Sequence, residues 1–328
     1  MRRWTIILGI LLLLLAGGTY GATVWWQAAL TGPGPLPASK AVVVPRGSTE
    51  TLAQALVDEG VIDRPLVFQA AAWLSQDPRP LRAAEFAFPA HVSLEQVLTI
   101  LRSAKPLEHR VTIAEGLTMQ QIRAVLTKAE ALSGPVPTFP EGSVLPETYA
   151  YERGTAPASV IARARVAMEK TLAAAWANRA ANLPLGSVRE ALVLASIIER
   201  ETAKPAERPH VAAVYLNRLR IGMKLQADPT VVYAASGGLG VLDHGLTKAE
   251  LAKDDPYNTY RYAGLPPGPI CSPSASSIEA ALHPLQSDDL YFVADGTGGH
   301  IFSRTLDTHE AAVRQRGLMP QGPRGSPD

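Results

Sequence analysis

SVREALVLASIIERETA, residues 187–203, has the period on which the fold of the larger part of the chain turns. Ser187 followed three residues later by Glu190 has the form of a helix capping box. Beyond it Leu194, Ala195 and Ile198 fall at i, i+1 and i+4, an apolar stripe of helical period. The next positions on that stripe are Glu201 and Thr202, while Glu199 lies about 100° round from Ile198, on the flank. Acids seldom sit on the apolar side of a helix unless paired or functional. Desolvation raises the pKa of such an acid, as a general acid working near neutral pH requires. Glu199 has the easier route to solvent. Both acids can also be surface charges paired with Arg200, Lys204 or Arg208.

Outward from this helix, residues 155–221 read as mostly helical. SVIARARVAMEKTLAAAWANRAA (159–181) is one helix, and RPHVAAVYLNRLRIG (208–222) starts near Pro209 and stops at Gly222, which suits a C′ position. QADPTVVYAASGG (226–238) places Asp228 as an N-cap with Pro229 at the first helical position. Thr247 with Glu250, and Ser276 with Glu279, are further capping boxes. LYFVADGTGGHIFS (290–303) reads as a hairpin around Asp295–Gly299, and DTHEAAVRQRG (307–317) as a helix ending at Gly317.

The front of the chain alternates strand and helix at 41–57, 86–102 and 109–126, with Ser93/Gln96 and Thr118/Gln121 as boxes. The fold class is α+β. Residues 41–103 suit a small βααβ module of the LysM kind, and 104–317 a larger, mainly helical catalytic domain. TGPGPLPASK closes a linker over 27–40, and 318–328 is a disordered tail.

Residues 4–26, WTIILGILLLLLAGGTYGATVWW, carry no charge and are long enough for a transmembrane helix, with tryptophans at both ends. Arg2 and Arg3 precede it and the next basic residue is Lys40. The positive-inside bias therefore keeps residues 1–3 in the cytoplasm and exports the body of the protein. A cleaved signal peptide is the other reading.

The net charge of +1 offers no cationic face for nucleic acid. The single cysteine, Cys271, excludes an internal disulfide, and seven histidines without HExxH or CxxC spacing point to no metal and no cofactor. GxSxG and GxxxxGK[ST] are absent. NRLRIGMKLQADPTVVYA (217–234) instead gathers Asn217, Gln226, Asp228, Thr230 and Tyr233, and DDPYNTYRYAGLPPGPI (254–270) adds Asn258, Thr259 and Tyr260. Amides and hydroxyls pair with sugar hydroxyl and N-acetyl groups, and aromatic faces stack on pyranose rings. Ordinary turn chemistry is the alternative. Asp228 is the best candidate for a second carboxylate, and an N-cap role explains it equally well.

LASIIERETA, NRLRIGMKLQADPTVVY, YNTYRYAGLPPGPI and LYFVADGTGGHIF, in this order and spacing, resemble the endolytic murein transglycosylases of the YceG-like family. EGSVLPETYAY (141–151) resembles it too, but has Glu147 where the family usually has Asp. The resemblance implies an inner-membrane anchor, a LysM-like domain and a domain that cuts MurNAc–GlcNAc bonds inside peptidoglycan strands, leaving 1,6-anhydroMurNAc ends. It implies no cofactor, and work beside peptidoglycan synthases, terminating or trimming nascent strands. Its catalytic acid maps onto Glu201, followed by Thr202, with Glu199 as a supporting or alternative acid. Asn217, Gln226, Asp228, Thr230, Tyr233, Asn258, Thr259 and Tyr260 are then expected at the substrate. A water-using muramidase and a non-catalytic glycan-binding scaffold are the rival expectations.

Overall fold

The computed structural model describes residues 2–315; the tail expected at 318–328 and the helix stop expected at Gly317 lie outside the described residues. The chain is a mixed α+β protein that gathers into two compact units, Met1–His109 with Tyr151–Gly154, and Arg110–Ala150 with Thr155–Asp328.

The first unit begins with α1 (Arg2–Thr31), whose Ile6–Thr31 stretch is long and apolar enough to cross a membrane. The linker expected at 27–40 is more ordered than its composition suggests. Residues 27–31 continue α1, and Leu36 is buried. Pro33, Pro35 and Pro37 stop the helix and stiffen the chain as far as β1. Two backbone groups of this run pair with a turn: Gly34 N donates to His91 O (3.2 Å) and His91 N to Leu36 O (2.7 Å).

β1 (Lys40–Val43), α2 (Thr49–Asp58), α3 (Pro65–Leu74), β2 (Glu85–Phe88) and α4 (Leu94–Ser103) follow in this unit. β1 and β2 pair antiparallel with Val42 opposite Phe86. Alternation along these strands turns Val42, Phe86 and Phe88 inward, onto Leu56, Phe68, Val97 and Leu101. Ser93 and Gln96 close a full capping box at the start of α4.

β3 (Glu108–Thr112) and β4 (Thr148–Glu152) form a second two-stranded sheet, with α5 (Met119–Lys128) between them in sequence. The rest of the second unit is helical up to a final hairpin. It comprises α6 (Pro157–Ala177), α7 (Val188–Glu201), a 3-10 turn at Pro205–Glu207, α8 (Arg208–Arg220), α9 (Asp228–Ala235), α10 (Lys248–Ala252) and α11 (Ala275–Leu282). β5 (Tyr291–Ala294) and β6 (His300–Ser303) pair antiparallel, followed by α12 (Leu306–Gln315). α7 is the centre: it packs against α6, α8, α9 and α11, and Leu194, Ala195, Ile197 and Ile198 are all buried.

Three expected helix starts differ in detail. Ser187 caps α7, but Glu190 accepts from Gly186 N (2.7 Å) instead of closing the box. α11 is capped by Ser274, which accepts from Ser277 N, because Ser276 is already inside the helix and hydrogen-bonded by Arg208. Glu279 pairs with His283 instead. Asp228 is the first residue of α9 and not its cap, so its carboxylate is free of that duty.

Candidate active site

The two glutamates of α7 live in opposite surroundings. Glu199 Oε1 accepts from Arg208 Nη2 at 2.8 Å, and Oε2 accepts from Ser274 N (2.8 Å) and Ser274 Oγ (2.5 Å). Its side chain is 4% exposed. The expected route from Glu199 to solvent is therefore closed: α8 and α11 supply the groups that cover this flank of α7. Arg208 is itself buried and also bonds Ser274 and Ser276. Glu199 is a satisfied, paired carboxylate.

Glu201 is the last helical residue of α7, and the chain turns extended at Thr202. Its Oε2 is buried and has no hydrogen-bond partner among the described residues. Glu201 lines a cleft of about 270 Å³, shared with Arg218, Gln226, Asp228, Tyr260 and His300. Desolvation pushes the Glu201 pKa up to about 7. Tyr215 Oη, close by but outside hydrogen-bond geometry, pulls the other way; the charge of Asp228 adds to the rise and that of Arg218 reduces it. The negative end of the α7 dipole also disfavours the ion here. The site thus holds a carboxylic acid that is largely protonated just below neutral pH, next to open space.

Of the residues expected at the substrate, Gln226, Asp228 and Tyr260 meet Glu201 in this cleft. Tyr260 Oη donates to Asp228 Oδ1 at 2.5 Å. Gln226 is held at φ +50°, a left-handed conformation that a non-glycine residue adopts at a cost and that recurs at functional sites. Its N donates to Thr259 O.

Thr230, Asn258 and Thr259 lie behind the cleft and shape it. The hydroxyls of Thr230 and Thr259 are 2.9 Å apart, and Ala227 N donates to Thr259 Oγ1, which joins the start of α9 to the 254–262 loop. Asn258 Nδ2 donates to Leu251 O and Lys253 O, and its Oδ1 accepts from Tyr260 N. Asn217 and Tyr233 are engaged elsewhere. Asn217 Nδ2 donates to Ser287 O and Asp289 O, and Tyr233 Oη to Glu141 Oε2.

Arg218 and His300 complete the cleft and were not expected there. Arg218 donates to Leu225 O (2.6 Å) and Leu290 O (2.6 Å), tying α8 to the run before α9 and to the hairpin. His300 Nδ1 lies 2.7 Å from Glu207 Oε2. Their only sequence signal was, for Arg218, membership of the polar run 217–234 and, for His300, a place in the 290–303 hairpin. No group of three or more His, Cys, Asp or Glu among the described residues could hold a metal ion.

The sequence pattern of the YceG-like family matches residues 42–315. The chain is 30% identical to an endolytic murein transglycosylase of Streptococcus pneumoniae serotype 2 (strain D39) over 360 aligned positions, 93% of this chain and 63% of that protein. It is 38% identical to an endolytic murein transglycosylase of Bacillus subtilis over 172 residues, 52% of this chain and 46% of that one. A crystal structure of a yceG-like protein of Listeria monocytogenes is similar with a TM-score of 0.51 and 29% identity, over 84% of this chain and 99% of that one. The chain therefore spans less than two thirds of the length of these curated relatives.

Proposed function

The chain belongs to the YceG-like family, and on that premise we propose that it is an endolytic lytic transglycosylase of peptidoglycan, with Glu201 as its acid and base. One observation carries the assignment: Glu201, not Glu199, is the acid of α7 that is unpaired, desolvated and open to a cleft.

Protonated Glu201 gives its proton to the oxygen linking MurNAc to GlcNAc, and the C1–O bond breaks through an oxocarbenium-like transition state. The resulting carboxylate takes the proton of the C6 hydroxyl of the same MurNAc, and O6 bonds to C1. Glu201 ends protonated, no water is consumed, and the product is a 1,6-anhydro end. A pKa near 7 lets one group serve both steps. Gln226, Asp228 and Tyr260 contact the sugars, while Thr230, Asn258 and Thr259 hold those contacts in place; Asn217 and Tyr233 are left without a substrate role.

A water-using muramidase is the second reading, favoured by Asp228 sharing the cleft as a second carboxylate. Product masses separate the two, since an anhydro end lacks one water relative to a hydrolysed end. The full chain incubated with purified glycan strands should release anhydro-ended fragments, and Glu201→Gln should release none. Strand binding without any fragment from the unaltered chain would identify a scaffold and overturn the catalytic reading.

α1 anchors the protein in the cytoplasmic membrane, and Arg2 and Arg3 support a cytoplasmic N-terminus with the chain beyond α1 outside. The β1-α2-α3-β2 order supports a LysM-like, glycan-holding role for the first unit. Strand termination beside a peptidoglycan synthase rests on the family resemblance alone, and co-purification of a synthase from crosslinked membranes tests it.

A further inference from the structure

Glycan cleavage leaves one feature of the first unit unused. α3, PLVFQAAAWL, carries no ionised side chain. Phe68 and Ala71 face the core of the unit. On the other face Leu66, Trp73 and Leu74, at i, i+7 and i+8, are 75%, 81% and 53% exposed. A tryptophan and two leucines grouped on a water-facing helix mark a surface that something covers.

The neighbours of α3 say what that is. α1 packs on α3 and α4, and Trp26 and Leu30 press against the core of the unit. Leu74 lines a cavity of about 580 Å³ together with Trp26, Leu30 and Thr31, so the end of α3 stands beside the last turns of α1. From Trp4 to Val24, α1 is about 31 Å long, the thickness of a hydrocarbon core. Trp25 and Trp26 then fall at the level of the headgroups, where tryptophan concentrates. At Leu74 the exposed face of α3 meets the last turns of α1, across a cavity whose far side carries Asp77, Glu95 and Arg102.

We propose that α3 is an interfacial helix: its Leu66–Trp73–Leu74 face is buried among the headgroups and upper acyl chains of the leaflet from which α1 emerges. This rests on the reading of α1 as the membrane anchor. Lipid is the fitting occupant because the face is continuous with α1, lacks charge and carries the aromatic residue suited to that depth. The first unit is then held to the bilayer at two places and does not swing on α1 alone.

Cys271 is buried, so a cysteine placed on the surface is the reactive one. The full chain carrying Trp73→Cys or Leu66→Cys, labelled with an environment-sensitive dye, is reconstituted in phosphatidylethanolamine/phosphatidylglycerol vesicles with nitroxide lipids of known depth. Leu14→Cys reports on α1, and Glu50→Cys, exposed on α2, is the water-facing control. At positions 66 and 73 the emission should shift to the blue and be mostly lost with shallow nitroxides. At position 14 it should be lost with deep ones, and at position 50 with neither. Positions 66 and 73 behaving like 50 while 14 is quenched would overturn the interfacial helix and leave the anchor standing. A Trp73→Cys chain that is unquenched and crosslinks copy to copy would assign the face to a second chain and overturn it equally. Loss of quenching at 14 would remove the anchor, and the proposal with it.

Discussion

Glu199 Oε1 lies 2.8 Å from Arg208 Nη2, inside a pocket closed by Ser274, whereas Glu201 two residues later leaves Oε2 unpaired beside a cleft. One acid is built into the fold and the other is left available. Removing one partner of a buried ion pair strands the other charge, which costs about 3 kcal/mol or more. Glu199→Gln should therefore lower the denaturation midpoint, and its cleavage activity should track the folded fraction. Glu201→Gln should abolish cleavage in a chain that stays folded. Urea unfolding and a strand-cleavage assay on both variants check this; equal loss of stability in the two would contradict the contrast.

The raised pKa of Glu201 links stability to pH. Its folded value of about 7 exceeds the ordinary 4.5, so the folded state holds the proton more tightly. The contribution to stability is fully present below pH 4.5 and is lost as pH rises through 7. The loss is on the order of 3 kcal/mol once both states are ionised. Glutamine has no proton to lose. The stability difference between Glu201→Gln and the unaltered chain should be smallest near pH 4.5 and grow in favour of the variant up to pH 8. A flat difference across that range, in denaturation at several pH values, would argue against a desolvated acid at this position.

The same group sets the activity profile. A general acid must be protonated in the free enzyme, so kcat/KM should fall above pH 7, approaching about tenfold per pH unit. An inflection near the ordinary carboxylate range would move the acid role away from Glu201.

Much of this was readable locally. Ser93–Gln96, Thr118–Gln121 and Thr247–Glu250 form both halves of their capping boxes, because the groups lie within one turn of each other. The period of α7 likewise requires only its own residues. What was not readable depends on distant chain. Glu199 is covered by Arg208, nine residues on, and by Ser274, 75 residues on. Ser276 matches a cap pattern as well as Ser274 does, and the choice between them falls to Arg208. His300 reaches the cleft only because the hairpin folds back beside α8. Thr230, Thr259 and Asn258 looked sugar-suited by type, yet at near-zero exposure their hydroxyls and amide are used within the protein.

Tyr260 and Asp228 allow the two cleavage chemistries to be told apart. Tyr260→Phe removes the 2.5 Å hydrogen bond to Asp228 without leaving a buried group unsatisfied, because both side chains face the cleft. It should slow cleavage with little change in stability. Asp228→Asn should keep anhydro-ended products at reduced rate if the C6 hydroxyl is the nucleophile. Complete loss in Asp228→Asn, with hydrolysed ends from the unaltered chain, would favour a water-using muramidase. Product mass spectra from the three proteins decide it.

Asn258 tests whether the loop behind the cleft positions Tyr260. It satisfies the carbonyls of Leu251 and Lys253 and accepts from Tyr260 N, all without touching the cleft. Asn258→Ala leaves these backbone groups short of partners, at a cost of about 2 kcal/mol. The loop that presents Tyr260 should loosen, raising KM. Glu201 is held by α7 and not by this loop, so the pH at which activity falls should stay near that of the unaltered chain. Steady-state kinetics at several pH values separate the two effects. A shifted pH profile with unchanged KM would mean that Asn258 acts on the acid and not on the loop.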